Sequence, residues 1–248
     1  ANFKPEQLPE DFNINKIPLE PDYDILGFIA KHSRNLEPWQ RDIINIVREE
    51  SMYFMPQAMT KIMNEGWASF WHYKIMSEMD LPQEFHLSFL KFHNQVLRPM
   101  VGKINPYHLG FTIFKWIEKN KGLEECFIAR SSHNDESFIR TYLNKDICED
   151  LNLFSYSKKK KEWTIDDISD EDGWKQIRAD LIKNVGLNSL PNIYIRELQK
   201  DQTLVLEHEH DGRDLDLDYA HNVCDHLLDL WGDDFKFYTI IEEEPFEI

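Results

Sequence analysis

The sequence predicts a mainly helical first domain followed by a small α+β domain, so the fold class is α + (α+β). Three observations lead there. Up to about residue 150, apolar residues recur at helical spacing, as in Phe85, Phe89, Leu90, Phe92 and Val96. After Leu151 the period falls to two, as in Trp163 to Ile168. The charge shifts at the same place, since residues 151 to 248 hold 23 acidic and 11 basic side chains, net -12 of the chain's -17. A chain of 248 residues is long enough for two domains of ordinary size.

Residues 1 to 22 carry Pro5, Pro9, Pro18 and Pro21 among polar neighbours and read as an extended arm. The helical domain spans 23 to 150. Its first helix begins near Asp22, and its second starts at Glu37-Pro38 with proline in the first turn, carrying Trp39, Ile43, Ile46, Val47 and Phe54 inward. Pro56 starts, or kinks into, a third helix. Asp80-Leu81-Pro82 breaks that helix, and Gln83 to about Leu97 forms the next, an antiparallel neighbour because the connection is short. Asn105-Pro106 opens a further helix through Phe111, Phe114 and Ile117 that stops near Gly122. Asp135 caps the last, with Phe138, Ile139, Tyr142 and Leu143 as its buried stripe.

The acidic α+β domain spans 151 to 248. Its strands are expected at Leu153 to Ser157, Trp163 to Ile168, Asn192 to Glu197, Thr203 to His208 and Phe235 to Ile241. Helices at Glu171 to Val185 and Asp218 to Trp231 complete a ββαββαβ order. Lys158 to Lys161 reads as a solvated hairpin tip rather than the alternative, a basic contact patch, and no internal repeat is present.

A net charge of -17 repels nucleic-acid phosphates and anionic membrane surfaces, so neither is an expected partner. A protein partner docked through the acidic second domain is expected instead. Cys126, Cys148 and Cys224 are odd in number and lack CxxC spacing, which argues against a disulfide framework or a thiolate zinc site and fits a reducing cytoplasm. No apolar run approaches the length of a membrane span.

The third helix carries the most informative pattern. Glu65 and His72 are seven residues apart and so share a face to within about 20°, among Met63, Trp67, Phe70 and Trp71. Lys61, Glu65, Ser69 and His72 form a narrow polar stripe, expected to be largely buried and partnered. The spacing is not HExxH, because about 10.5 Å along the axis separates the two side chains. In a regular hairpin, His93 on the following helix falls axially between them. Glu65, His72 and His93 then form a candidate catalytic set, or the ligands of a metal in a hydrolase-like site. The alternative is structural, a buried polar stripe that fixes helix register in a non-enzymatic interaction or scaffold protein.

Lys61, Asn105, Tyr107 and Arg130 are candidate contacts for a cofactor or substrate, although no motif names a cofactor. Asn105, Tyr107 and His108 stand at a helix start, which either receives an anion or is merely capped. Arg130, His133, Asn134 and Asp135 form a polar cluster in which Arg130 can meet a carboxylate such as Glu65, or which simply caps a helix. Glu207 to Asp211, though rich in metal-ligand types, reads as a solvated strand end, and Asp214, Asp216 and Asp218 as a turn and helix start.

Four sequence words carry a family resemblance: Tyr53-Phe54-x-Pro56-Gln57; Thr60-Lys61-Ile62-Met63-Asn64-Glu65-Gly66-Trp67-Ala68 with Trp71-His72; Asn105-Pro106-Tyr107-x-Leu109-Gly110; and His133-Asn134-Asp135-x-Ser137-Phe138. They resemble the stage V sporulation protein R family. The resemblance implies a bacterial cytoplasmic protein associated with sporulation and spore cortex formation, and supplies no biochemical activity. It also implies an upstream region with a further histidine-rich motif, so the chain reads as a carboxy-terminal portion. Lys61, Asn64, Glu65, Trp67 and His72 all lie within these words.

Overall fold

The computed structural model describes residues 17–100, 103–159, 162–168, 173–232 and 234–248. Residues 1 to 16 of the expected arm, and Lys160 and Lys161 of the lysine run, lie outside the described residues. The helices of the first part are α1 (Ile25–His32), α2 (Pro38–Ala58), α3 (Lys61–Glu78), α4 (Gln83–Val96), α5 (Pro106–Lys121), α6 (Leu123–Ser132), α7 (Asp135–Tyr142) and α8 (Lys145–Asp150). Then follow β1 (Phe154–Lys159), β2 (Glu162–Ile168), α9 (Gly173–Lys183), β3 (Ile193–Leu198), β4 (Leu204–His208), α10 (Leu217–Trp231), β5 (Phe235–Ile241) and β6 (Glu244–Glu247). A mainly helical region therefore precedes a small four-stranded sheet with a helix.

The chain forms two compact units, one of Phe54–Ser189 and one of Ala1–Tyr53 with Leu190–Ile248. In the first, α5 is the principal neighbour of α3. Their facing stripes bury Met63, Phe70, Ile113, Phe114 and Ile117, and α7 adds Phe138 and Ile139 to the same core. Asn105 opens α5 with Pro106 behind it, and Gly122 closes it with φ 94, a conformation glycine adopts without steric cost. β1 and β2 form an antiparallel two-stranded sheet, and α9 packs near them while sending Ile177 and Leu181 into the helical core.

In the other unit the sheet order is β3-β4-β5-β6. β3 and β5 flank β4, the first antiparallel and the second parallel with α10 as its crossover. Leu204, Val205 and Leu206 of β4 are all buried, as expected for a central strand covered on both faces. Phe28 and Ile29 of α1, Trp231 of α10 and Phe237 of β5 complete this core. Asp22 and Ile195 exchange backbone hydrogen bonds of 3.3 and 2.8 Å, so the segment before α1 pairs with β3. The expected ββαββαβ order gains β6, paired to β5 through a turn at Glu242 and Glu243, and the strands divide between two sheets. Short acidic strands such as Glu244–Glu247 carry too little apolar alternation to be seen as strands in isolation.

One helix departs from its expected orientation. Trp39, Ile43, Ile46, Val47 and Phe54 of α2 were expected to face inward, yet all are exposed and only Ile44 is buried. Polar anchors on the opposite side set the rotation: the Arg48 guanidinium donates to Asp24 at 2.6 Å, and Arg41 donates to the carbonyls of Ala30 and Ser33. Periodicity identifies an apolar face without saying that a partner lies on it.

Candidate functional site

The start of α3 is built from a residue more than 70 positions away. Asp135 is 1% exposed, and its carboxylate accepts the backbone N–H groups of Ile62 and Met63, both at 2.9 Å. Its own N–H donates to the Met59 carbonyl at 2.9 Å. Burial raises the Asp135 pKa more than these hydrogen bonds lower it. The cap of α7 is instead Asn134, in a reciprocal capping box with Ser137, which corrects the expectation that Asp135 caps that helix. Asp135 sits one position later and is thereby free to serve α3.

One turn further along α3, Gly66 meets Gly110 of α5. A Cβ on Gly66 would lie 2.4 Å from the Gly110 Cα, and one on Gly110 would lie 2.3 Å from the Ile62 carbonyl oxygen. The backbones themselves touch there, bringing the first turn of α5 against Glu65. The Tyr107 hydroxyl lies toward the Glu65 carboxylate, and that neighbour, with burial, pushes the phenol above its usual range. Both residues are half-buried. Tyr107 was expected as a ligand contact; its role as the partner of Glu65 depends on the glycine crossing, which no local spacing announces.

Asn105 is buried and fully engaged. Its carboxamide oxygen accepts from Tyr107 N–H (3.0 Å) and His108 N–H (3.4 Å), while its amide donates to the carbonyls of Val96 and Arg98. The start of α5 is therefore occupied by its own cap, which also holds the end of α4.

His93 is 6% exposed, with its ring centroid 4.9 Å from Tyr73, 5.0 Å from Phe111 and 5.7 Å from Phe89. Burial pushes its imidazole below the usual 6.5, and the charges of His72 and Lys115 act in the same direction. His72 is exposed, against the expectation of burial, and touches the edge of Phe89 with ring centroids 5.4 Å apart. Helix α3 turns its Gly66, Ser69 and Phe70 side inward, leaving His72 at the rim of the buried face. Lys61 is exposed as well.

The structure thus brings Glu65 to Tyr107, and His72 to His93 across Phe89. It does not assemble Glu65, His72 and His93 around one point: among the described residues no group of three or more His, Cys, Asp or Glu is arranged to hold a metal ion. A regular hairpin would set all three on facing stripes, whereas Glu65 lies toward Tyr107 of α5 and His93 among Tyr73, Phe89 and Phe111. Arg130 is half-buried on α6 and shows no hydrogen bond or ion pair with Glu65 among the described residues. Trp67 is packed among Phe70, Trp71, Phe114 and Phe127.

In the other unit, His208 is buried rather than solvated. Its Nδ1 lies 3.0 Å from the Thr239 hydroxyl, and burial lowers its pKa. His210 pairs with Asp214 at 3.1 Å. These contacts tie β4, β5 and the loop before α10 together.

Comparison with known proteins agrees with the words that build this helix crossing. A family model described as SpoVR like protein matches residues 2–190, and a SpoVR-like C-terminal domain model matches residues 191–241. The uncharacterized protein YcgB of Escherichia coli strain K12 is 34% identical over 267 residues, covering 94% of this chain and 52% of that protein. The chain therefore spans about half the length of this curated relative. No solved structure matches it. No helix among the described residues is long and apolar enough to cross a membrane. Two family models together cover nearly the whole sequence, and the words Lys61 to His72, Asn105 to Gly110 and His133 to Phe138 are the segments that cap and cross α3, α5 and α7; the chain belongs to the SpoVR-like family.

Proposed function

We propose that this chain is an interaction module of a sporulation-associated protein, acting in spore cortex formation and docking protein partners, with the acidic segment 190–248 supplying part of the contact. The observation that carries this reading is how the polar side chains of the family words are used. Asp135 holds Ile62 and Met63, Asn105 holds both α4 and α5, and Glu65 neighbours the Tyr107 phenol. Each satisfies a neighbour inside one unit, as polar groups that fix helix register do. Large apolar side chains on α2 and α4, among them Trp39, Ile46, Phe85 and Phe92, are meanwhile exposed, which supports a contact role. Metal analysis and thermal-shift screening of the purified protein test this. The expected result is no stoichiometric metal and no small-molecule stabilisation; stoichiometric metal that is lost in a folded His72→Ala variant overturns it.

A second reading is a hydrolase-like reaction pocket at His72 and His93, with Glu65, Lys61, Asn105, Tyr107 and Arg130 at its edge. His93 favours it: the ring is buried, that burial lowers its pKa, and it makes no side-chain hydrogen bond among the described residues. A buried imidazole beside a second histidine is a residue type used in proton transfer.

A further inference from the structure

Within its own unit, helix α2 presents an apolar stripe that no described residue covers. Trp39, Ile43, Ile46 and Val47 are 61%, 50%, 59% and 46% exposed. At about 100° per residue they fall, together with Glu50, within an arc of about 100°. Positions i, i+4, i+7 and i+8 are those by which one helix lays its side chains into another.

The charges that α2 itself places on and beside this stripe all have one sign. Glu50 lies within it, Asp42 and Glu49 border it, and all three are exposed. The two cations of the helix are turned to the opposite side, Arg48 on Asp24 and Arg41 on the carbonyls of Ala30 and Ser33. Among the residues of α2, the face is therefore apolar with an acidic centre and edge. A second copy of the chain is a poor fit, because it would bring Glu50-containing faces of two chains of net charge -17 together.

We propose that the α2 face centred on Ile43, Ile46 and Glu50 is a docking site for a basic amphipathic helix of a protein partner, its apolar side chains filling the Trp39–Val47 stripe and a lysine or arginine meeting Glu50. The proposal rests on the interaction-module reading and names its surface and the chemistry of its partner. The stripe from residue 39 to 50 is about 17 Å long, a little over three helical turns. A partner helix of ordinary length spans it.

The test uses the full chain and a fluorescent, about 18-residue peptide of leucine and lysine with helical amphipathic periodicity, followed by polarisation. Saturable one-to-one binding is expected. Ile46→Asp should weaken it at least about tenfold, the loss typical of a central contact, and Glu50→Lys should weaken it while creating affinity for the matching leucine-glutamate peptide. Both side chains are exposed, so folding should survive; unchanged circular dichroism and Tm confirm this. Peptide binding that both variants retain overturns the α2 site and leaves the interaction reading standing. Self-association by sedimentation that Ile46→Asp abolishes also overturns it, in favour of a second copy. Absence of peptide binding removes the proposed site, and only stoichiometric metal lost in His72→Ala removes the broader reading with it.

Discussion

Gly66 of α3 and Gly110 of α5 pack backbone against backbone, so closely that a Cβ on Gly66 would stand 2.4 Å from the Gly110 Cα. Each glycine belongs to a different family word, and together they set the distance at which α3 and α5 cross. The Glu65–Tyr107 pair and the buried Phe70–Phe114 contact, with ring centroids 6.0 Å apart, both depend on that distance.

Gly66→Ala should destabilise the protein by at least about 2 kcal/mol, because the clash is with backbone and the helices must separate. The gain in helix propensity, about 1 kcal/mol, only partly offsets this. Urea denaturation measures it. A variant as stable as the parent would show that the crossing tolerates a methyl group.

Asp135→Ala should cost about 2 to 4 kcal/mol, since it leaves the Ile62 and Met63 N–H groups buried without an acceptor. Asp135→Asn retains one acceptor and should cost less. Hydrogen exchange at Ile62 and Met63 should accelerate in the alanine variant before exchange in α9 does.

Double-mutant cycles separate the two halves of the candidate site. Glu65→Gln with Tyr107→Phe should be non-additive by about 0.5 kcal/mol or more, because the carboxylate acts on the neighbouring phenol. Glu65→Gln with His93→Ala should be additive within about 0.5 kcal/mol. Coupling in the second cycle would restore His93 to the site of Glu65.

The lowered pKa of His93 has a definite sign in stability. The unfolded chain binds a proton at this residue more readily than the folded one, so its contribution is intact above the unfolded value near 6.5 and is lost as pH falls from there through the folded pKa. His108 and His208, also lowered by burial, add in the same window. His93→Phe should therefore reduce the slope of stability against pH below about 6.5. An unchanged slope would mean that His93 titrates as a solvated imidazole.

The sequence alone determined the helical character up to about residue 150, the change of period after it, the start of α2 at Pro38, the cap at Asn105 and the family itself, because each is written in neighbouring residues. Propensity, capping and periodicity act over a few positions, and Pro38, Asn105 and Gly122 act locally. Only the tertiary structure decided which groups meet. Asp135 reaches the start of α3 across more than 70 residues, Glu65 turns to Tyr107 rather than to His93, and His72 comes out at the rim while His93 goes in. The same limit explains α2, whose apolar stripe is plain in the sequence and faces outward in the structure. A hydrophobic period specifies a face, and only the packing of distant segments specifies what that face meets.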